Sequence, residues 1–198
     1  MDKIKIILID SNLLDIDFLL SSPYLKSEDI NKINQFKMAE SQKEEAVSFI
    51  LKRKYAGDFY LSKEGKPISS SKYFNIAHSN GVVVYIENKD HPIGIDIELI
   101  KPSKDNMREY ISSKEEYNYI KSNENFFEIW TSKESLVKAY GSGIKTNIKE
   151  IPALPLNGVK NYKDKKYRSK CFKFSNFVIS ISIEREEDFE YQIKQEKL

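Results

Sequence analysis

Asp96 and Glu98 stand two residues apart in PIGIDIE, residues 92–98, alternating with Ile93, Ile95 and Ile97. Side chains on a strand point to opposite faces in turn, so the isoleucines line one side and Gly94, Asp96 and Glu98 the other. The Cα atoms of the two acids are then roughly 6.6–6.8 Å apart, close enough for both carboxylates to reach one small cation. Two like charges about 4 Å apart at an effective dielectric near 20 repel by about 4 kcal/mol, so a counter-charge is called for. Gly94 is expected to leave open space beside them. The plainer alternative puts both acids on the wet face of an edge strand.

Further along, FFEIWTSKESLVKAYGSG has Phe126, Trp130, Val137 and Tyr140 at helical spacing, with Glu134 and Lys138 beside that stripe. Four residues apart, these two read either as a surface pair worth about 0.2–0.5 kcal/mol or as a third metal carboxylate with a nearby ammonium. Thr131 and Glu134 have capping-box spacing, but the stripe starts a turn earlier, which puts Thr131 inside the helix. Ser113-Lys114-Glu115-Glu116 is a second such box, and nothing precedes it that argues against a cap. FNIAHS delivers His78 and Ser79 to the end of a strand, where they serve either structure or chemistry. Lys66, in the turn Gly65-Lys66-Pro67, reads as a solvated lysine.

The elements that must position these groups alternate in type. Residues 3–9 read as a first strand, and 39–55 as a helix that stops at Gly57. YFNIA (73–77), VVVYI (82–86) and IGIDIELI (93–100) form a short meander separated by turn residues. After Pro102 come helical stretches near 105–111, 114–121 and 124–140, the last ended by Gly141 and Gly143. KYRSKCFKF, FVISISI and FEYQI return to strand character, so the fold class is α+β.

A chain of 198 residues, 40% hydrophobic, with 12 Tyr and 11 Phe, can bury a real core. Lys plus Arg number 32 against 30 Asp plus Glu, a balance that announces neither a nucleic-acid nor a membrane binder. Cys171 is the only cysteine, which excludes an intrachain disulfide and suits a reducing cytoplasm. No apolar run of about 18 residues occurs, and MDKIKIILID is broken by Lys5 and ended by Asp10, so neither membrane spanning nor secretion is expected.

The ordered succession GKP, FNIAHS, PIGIDIE, SSKEEY and WTSKES with Lys138 resembles the 4'-phosphopantetheinyl transferases, strongly over residues 65–143. It is similar to their larger type, which activates peptide and polyketide synthases. That resemblance implies two similar α+β lobes, 1–100 ending in the metal-binding strand and 101–198, with the active site in the cleft between them. It also implies a cytoplasmic monomer that moves 4'-phosphopantetheine from coenzyme A to a serine of an apo acyl, peptidyl or aryl carrier protein. Adenosine 3',5'-bisphosphate leaves, and the pathways served are fatty acid, polyketide or nonribosomal peptide biosynthesis. Matching residue by residue, Asp96, Glu98 and Glu134 become Mg2+ ligands, Lys138 the lysine near the pyrophosphate, and His78 and Ser79 coenzyme A phosphate contacts. Lys66 becomes a further basic contact and Glu116 the general base, in competition with its capping role.

The chain departs from the family pattern in places. Ala77 stands where the family often has Ser, and of the N-terminal basic residues for the 3'-phosphate only Lys32 and Lys43 have counterparts, with Asp29 where another Lys is expected. Two other readings compete. One is a non-catalytic coenzyme A-binding homologue, which the presence of all three acids opposes. The other is a nucleic-acid-binding module using the basic and aromatic stretch 161–174, against which stand Glu184, Glu186, Glu187 and Asp188.

Overall fold

The computed structural model describes residues 3–63, 65–143 and 147–198. In chain order its elements are β1 (Lys3–Asp10), α1 (Ile16–Leu20), α2 (Ser27–Ile33), α3 (Ala39–Leu51), β2 (Tyr60–Leu61), β3 (Pro67–Ile68), β4 (Tyr73–Ser79), β5 (Val82–Asn88) and β6 (Ile93–Leu99). There follow α4 (Asp105–Ile111), α5 (Lys114–Tyr119), α6 (Asn123–Tyr140), β7 (Gly158–Tyr162), β8 (Lys165–Phe174), β9 (Phe177–Ile183) and β10 (Glu190–Gln195). The architecture is mixed α and β, as the alternating pattern predicts.

One sheet has the order β10-β1-β5-β4 and the other β6-β9-β8-β7, while β2 and β3 make a small hairpin. β10 joins β1 in parallel, and the second sheet is antiparallel throughout. Strand β6 therefore belongs to the sheet built mostly by the second half of the chain, and β10 returns to the sheet built by the first. Alternation along the strands makes three layers of core. Ile4, Ile6, Leu8, Val84 and Ala77 meet Ile93, Ile95, Ile97, Ile179 and Ile181 between the sheets. The opposite face of the first sheet, with Ile7, Ile9, Val83 and Tyr85, is covered by Val47, Ile50 and Leu51 of α3.

The outer face of the second sheet receives α6, and small polar residues set how close it comes. In FVISISI the isoleucines face the other sheet, whereas Ser180 and Ser182 face the helix. Thr131 Oγ1 lies 2.8 Å from Ser180 Oγ, and Ser135 Oγ lies 3.0 Å from Ser182 Oγ. Ser122 caps the start of α6 by accepting from Asn125 N, and Gly141, at φ 92°, supplies the left-handed residue that ends it. Thr131 lies within the helix and bonds back to Phe127 O at 2.8 Å.

Two short helices escape the sequence pattern. α1 and α2 have 5 and 7 residues, too few for a 3.6-residue period to declare itself. The helix read to residue 55 is α-helical only to Leu51 and continues to Gly57 (φ 73°) in a wider turn over 52–56.

Behind α6, Lys160 is 2% exposed and donates to the Ser132 hydroxyl. Burial depresses its pKa to about 7. The unfolded chain then binds the extra proton between about pH 7 and 10.4, so this lysine lowers stability at neutral pH and ceases to as pH rises. Urea unfolding of Lys160→Met should show a smaller gain in stability from pH 7 to pH 9.5 than wild type; equal gains would mean that the buried lysine keeps its charge.

Candidate active site

The site is assembled where α6 lies on β6. A Cβ built on Gly94 would stand 2.1 Å from Ser135 O and 2.4 Å from Ala139 N, so the space expected beside this glycine is filled by helix backbone. That contact brings Trp130, Glu134 and Lys138, four residues apart on one face of α6, alongside Glu98 and Asp96 of β6. Lys138 Nζ is 2.6 Å from Asp96 Oδ1. Trp130 Nε1 donates to Glu98 Oε1 at 3.3 Å. From β4, Ser79 Oγ donates to Glu98 Oε2 at 2.9 Å and accepts from Leu99 N at 3.3 Å. Asn75 Oδ1 accepts from Ile95 N at 3.0 Å, so β4 side chains bond amides at the edge of β6.

The electrostatics are those of carboxylates short of a cation. Burial pushes Asp96 up to about 7 against the pull of Lys138, and Glu134 and Glu98 add to the push. Glu134 is also raised, by burial against the pull of Lys138, with a smaller push from Glu98. Asp96 Oδ2 is buried with no hydrogen-bond partner among the described residues, an orphaned acceptor. Among the described residues no three His, Cys, Asp or Glu side chains are yet drawn together tightly enough to cage a metal ion. The trio is instead spread, with Asp96 held by Lys138 and Glu98 by Ser79 and Trp130. Hard oxygen donors, a mutual excess of negative charge and one unused oxygen fit a divalent cation such as Mg2+ that keeps several waters.

Two depressions flank these acids. One of about 280 Å³ is lined by Lys66, Asn75, Ile76, Glu134 and Lys138, and one of about 320 Å³ by Glu98, Met107, Phe126, Phe127 and Trp130. His78 is held from α3: its Nδ1 is 3.0 Å from Glu44 Oε2, while Gly81 N donates to Glu44 Oε1 at 2.6 Å. Burial works against the Glu44 charge, but His78 and the Gly81 amide overcome it and lower the pKa. The imidazole edge is thus fixed with its other nitrogen directed away from Glu44. Sequence reasoning missed Asn75, Glu44 and the Trp130 donor; the spacing of Asn75 and Ser79, four apart on one face of β4, is the available signal.

Other expected groups are placed differently. Lys66 is no solvated turn lysine: Nζ donates to Lys138 O at 2.7 Å and Ala139 O at 3.2 Å, closing the end of α6. Burial lowers its pKa to about 8 against a smaller opposing pull from Glu184. Lys32 Nζ lies 5.7 Å from the centre of the Phe49 ring, and Lys43 is half-buried on α3 beside Glu44. Asp29, unexpected in its position, is fully buried and meets Arg53 at 2.9 Å.

The expectation that Glu116 faces a hydroxyl substrate is not met. It is 4% exposed and completes the capping box, accepting from Ser113 N at 2.8 Å, while Ser113 Oγ accepts from Glu116 N at 3.3 Å. Its other oxygen accepts from Ala153 N at 2.8 Å, and Lys133 Nζ stands 2.8 Å from Oε2. Both oxygens are committed to structure, in a side chain that is almost wholly buried.

Residues 92–188, just under half of the chain, match the model of the 4'-phosphopantetheinyl transferase superfamily. Among curated relatives, the 4'-phosphopantetheinyl transferase gsp of Aneurinibacillus migulanus is 39% identical over 94 residues, covering 43% of this chain and 39% of that protein. The 4'-phosphopantetheinyl transferase Sfp of Bacillus subtilis (strain 168) is 31% identical over 112 residues, half of each chain. The L-aminoadipate-semialdehyde dehydrogenase-phosphopantetheinyl transferase of Xenopus laevis is 26% identical over 167 residues, 68% of this chain and 55% of that one. The matched region thus spans between 39% and 55% of the length of these relatives.

Removing the Glu116 charge should leave Lys133 buried without its anion. Glu116→Gln is expected to cost about 3 kcal/mol in urea unfolding, as for other broken buried pairs. An unchanged midpoint would free this acid from its structural role.

Proposed function

We propose that this protein transfers 4'-phosphopantetheine from coenzyme A to a serine hydroxyl of an apo carrier protein. The observation that carries the reading is the meeting of Asp96, Glu98 and Glu134 with Lys138 across β6 and α6, within a region that matches the superfamily. The two sheets with their helices would serve as the two lobes, with β6 in the second and β10 in the first rather than a division at residue 100, and the substrate lies where β4 and α6 face each other.

In the proposed reaction the serine oxygen forms a bond to the pantetheine-side phosphorus of the coenzyme A pyrophosphate. The bond from that phosphorus to the bridging oxygen breaks, adenosine 3',5'-bisphosphate leaves, and the hydroxyl proton passes to a base. Asp96, Glu98 and Glu134 would hold Mg2+, which when bound supplies positive charge against the pyrophosphate. Lys138 releases Asp96 and turns its ammonium to the same phosphates, so that charge developing on the leaving group is met by a fixed cation. His78, steadied by Glu44, offers its free ring edge to a phosphate. Glu116, whose two oxygens are hydrogen-bonded within the fold, is poorly placed to receive the proton, which passes to solvent.

A nucleic-acid role for 161–174 finds little support in the side chains. Tyr162 and Tyr167 are buried rather than offered for stacking. Lys165, Lys166, Lys170 and Lys173 are paired with Glu184, Glu186, Asp188 and Glu124. A carrier-free coenzyme A binder would have no evident use for three carboxylates that share a single lysine.

Incubation with coenzyme A, Mg2+ and a panel of apo carriers should add one phosphopantetheine to at least one carrier, read by mass. Asp96→Ala and Glu134→Ala should nearly abolish that gain with circular dichroism preserved, and Lys138→Met should lower turnover by about 10²–10³-fold. No gain on any carrier, or full activity in Asp96→Ala, would contradict the assignment.

A further inference from the structure

Glu98 is gripped at both oxygens by side chains from different parts of the fold. Ser79 Oγ, on β4, donates to Oε2 at 2.9 Å, and Trp130 Nε1, on α6, donates to Oε1 at 3.3 Å. The serine is itself fixed, because its oxygen accepts from Leu99 N at 3.3 Å and its single proton is thereby aimed at the carboxylate. An ionised carboxylate has about four lone-pair sites, so each oxygen keeps one for another partner. The plane of Glu98 is thus set by two rigid elements, one belonging to each sheet's layer.

We propose that Ser79 and Trp130 are positioning residues that hold the Glu98 carboxylate ready for a divalent cation. The inference rests on the metal role given above to Asp96, Glu98 and Glu134, and it gives Ser79 a task other than direct contact with coenzyme A phosphate. Asp96 and Glu134 have no such grip: the first is tied to Lys138, which must move, and the second is unpaired among the described residues. Glu98 is therefore the fixed ligand about which the other two close. Because its two donors come from β4 and from α6, displacement of one sheet's layer against the other loosens the cation site directly.

Trp130 is the only tryptophan in the sequence, so its emission reports on this carboxylate. With coenzyme A present and no carrier, Mn2+ should quench wild-type emission to saturation. Ser79→Ala should raise the Mn2+ midpoint by about 10–100-fold, the range for removal of a group that orients a metal ligand. Its affinity for coenzyme A without metal, measured by calorimetry, should be unchanged. Ser79→Thr keeps the hydroxyl and should restore the midpoint to within about threefold of wild type. Trp130→Phe, followed by the electron paramagnetic resonance of free Mn2+, should weaken binding in the same way as Ser79→Ala. Wild-type Mn2+ affinity in Ser79→Ala and Trp130→Phe would overturn the proposal while leaving the metal site intact. Loss of coenzyme A affinity in Ser79→Ala with no shift in Mn2+ midpoint would overturn it in favour of a substrate contact. A wild-type protein that binds no Mn2+ by resonance would remove both this proposal and the metal site.

Discussion

At Gly94 the backbone of α6 lies so close to β6 that even a methyl group would meet Ser135 O at 2.1 Å. A strand and a helix rarely approach so closely, because side chains on both normally hold them apart. Here the serines of β9 complete the arrangement, meeting Thr131 and Ser135 through hydroxyl contacts of 2.8 and 3.0 Å. The consequence is chemical. Glu134 and Lys138 are carried into the field of Asp96 and Glu98, and the charges gathered there could not otherwise be brought so near on two separate elements.

Such closeness has to be stabilised from behind, where α6 buries unusual cargo. Lys133 is 1% exposed and bonds the carbonyls of Ile148 and Ile151 at 3.0 and 2.6 Å, with Glu116 as its counter-charge. Its pKa is lowered by burial and restored in part by Glu116. A buried pair of this kind is weak evidence for stability, since desolvation offsets most of the attraction. Its geometry suggests a different use: it ties α5, α6 and the strand-free segment near residue 150 into one unit, so the helix bearing Glu134 cannot shift without breaking it.

The strands as single elements, the helix from 123 to 140 and the sides taken by Asp96 and Glu98 were legible because period and caps agree over long stretches, whereas the expected meander fails at its third strand, since β6 leaves β5 to pair with β9 in the other sheet. PIGIDIE has only one alternation to offer, and the structure keeps it. Gly94 misled because a missing side chain in a sequence reads as space, and only tertiary packing decides what fills it. For Glu116 the capping box was visible locally and the base role came only from the resemblance, whereas its remaining partners, Lys133 and Ala153, arrive from 17 and 37 residues away. Lys66 likewise depends on the end of α6, 72 residues on. β10 shows the same limit, since nothing local in FEYQI says that it will pair with β1.

The central claim is that β6 and α6 together present one cation site from Asp96, Glu98 and Glu134. Crystals grown with Mn2+ and coenzyme A, measured at the manganese absorption edge, test it without any carrier or turnover. The account predicts a single strong anomalous peak within about 2.0–2.6 Å of an oxygen from each of the three carboxylates, the range for hard cations on oxygen ligands, with Lys138 displaced from Asp96. A peak elsewhere, or Lys138 still seated on Asp96 with coenzyme A bound, would contradict it.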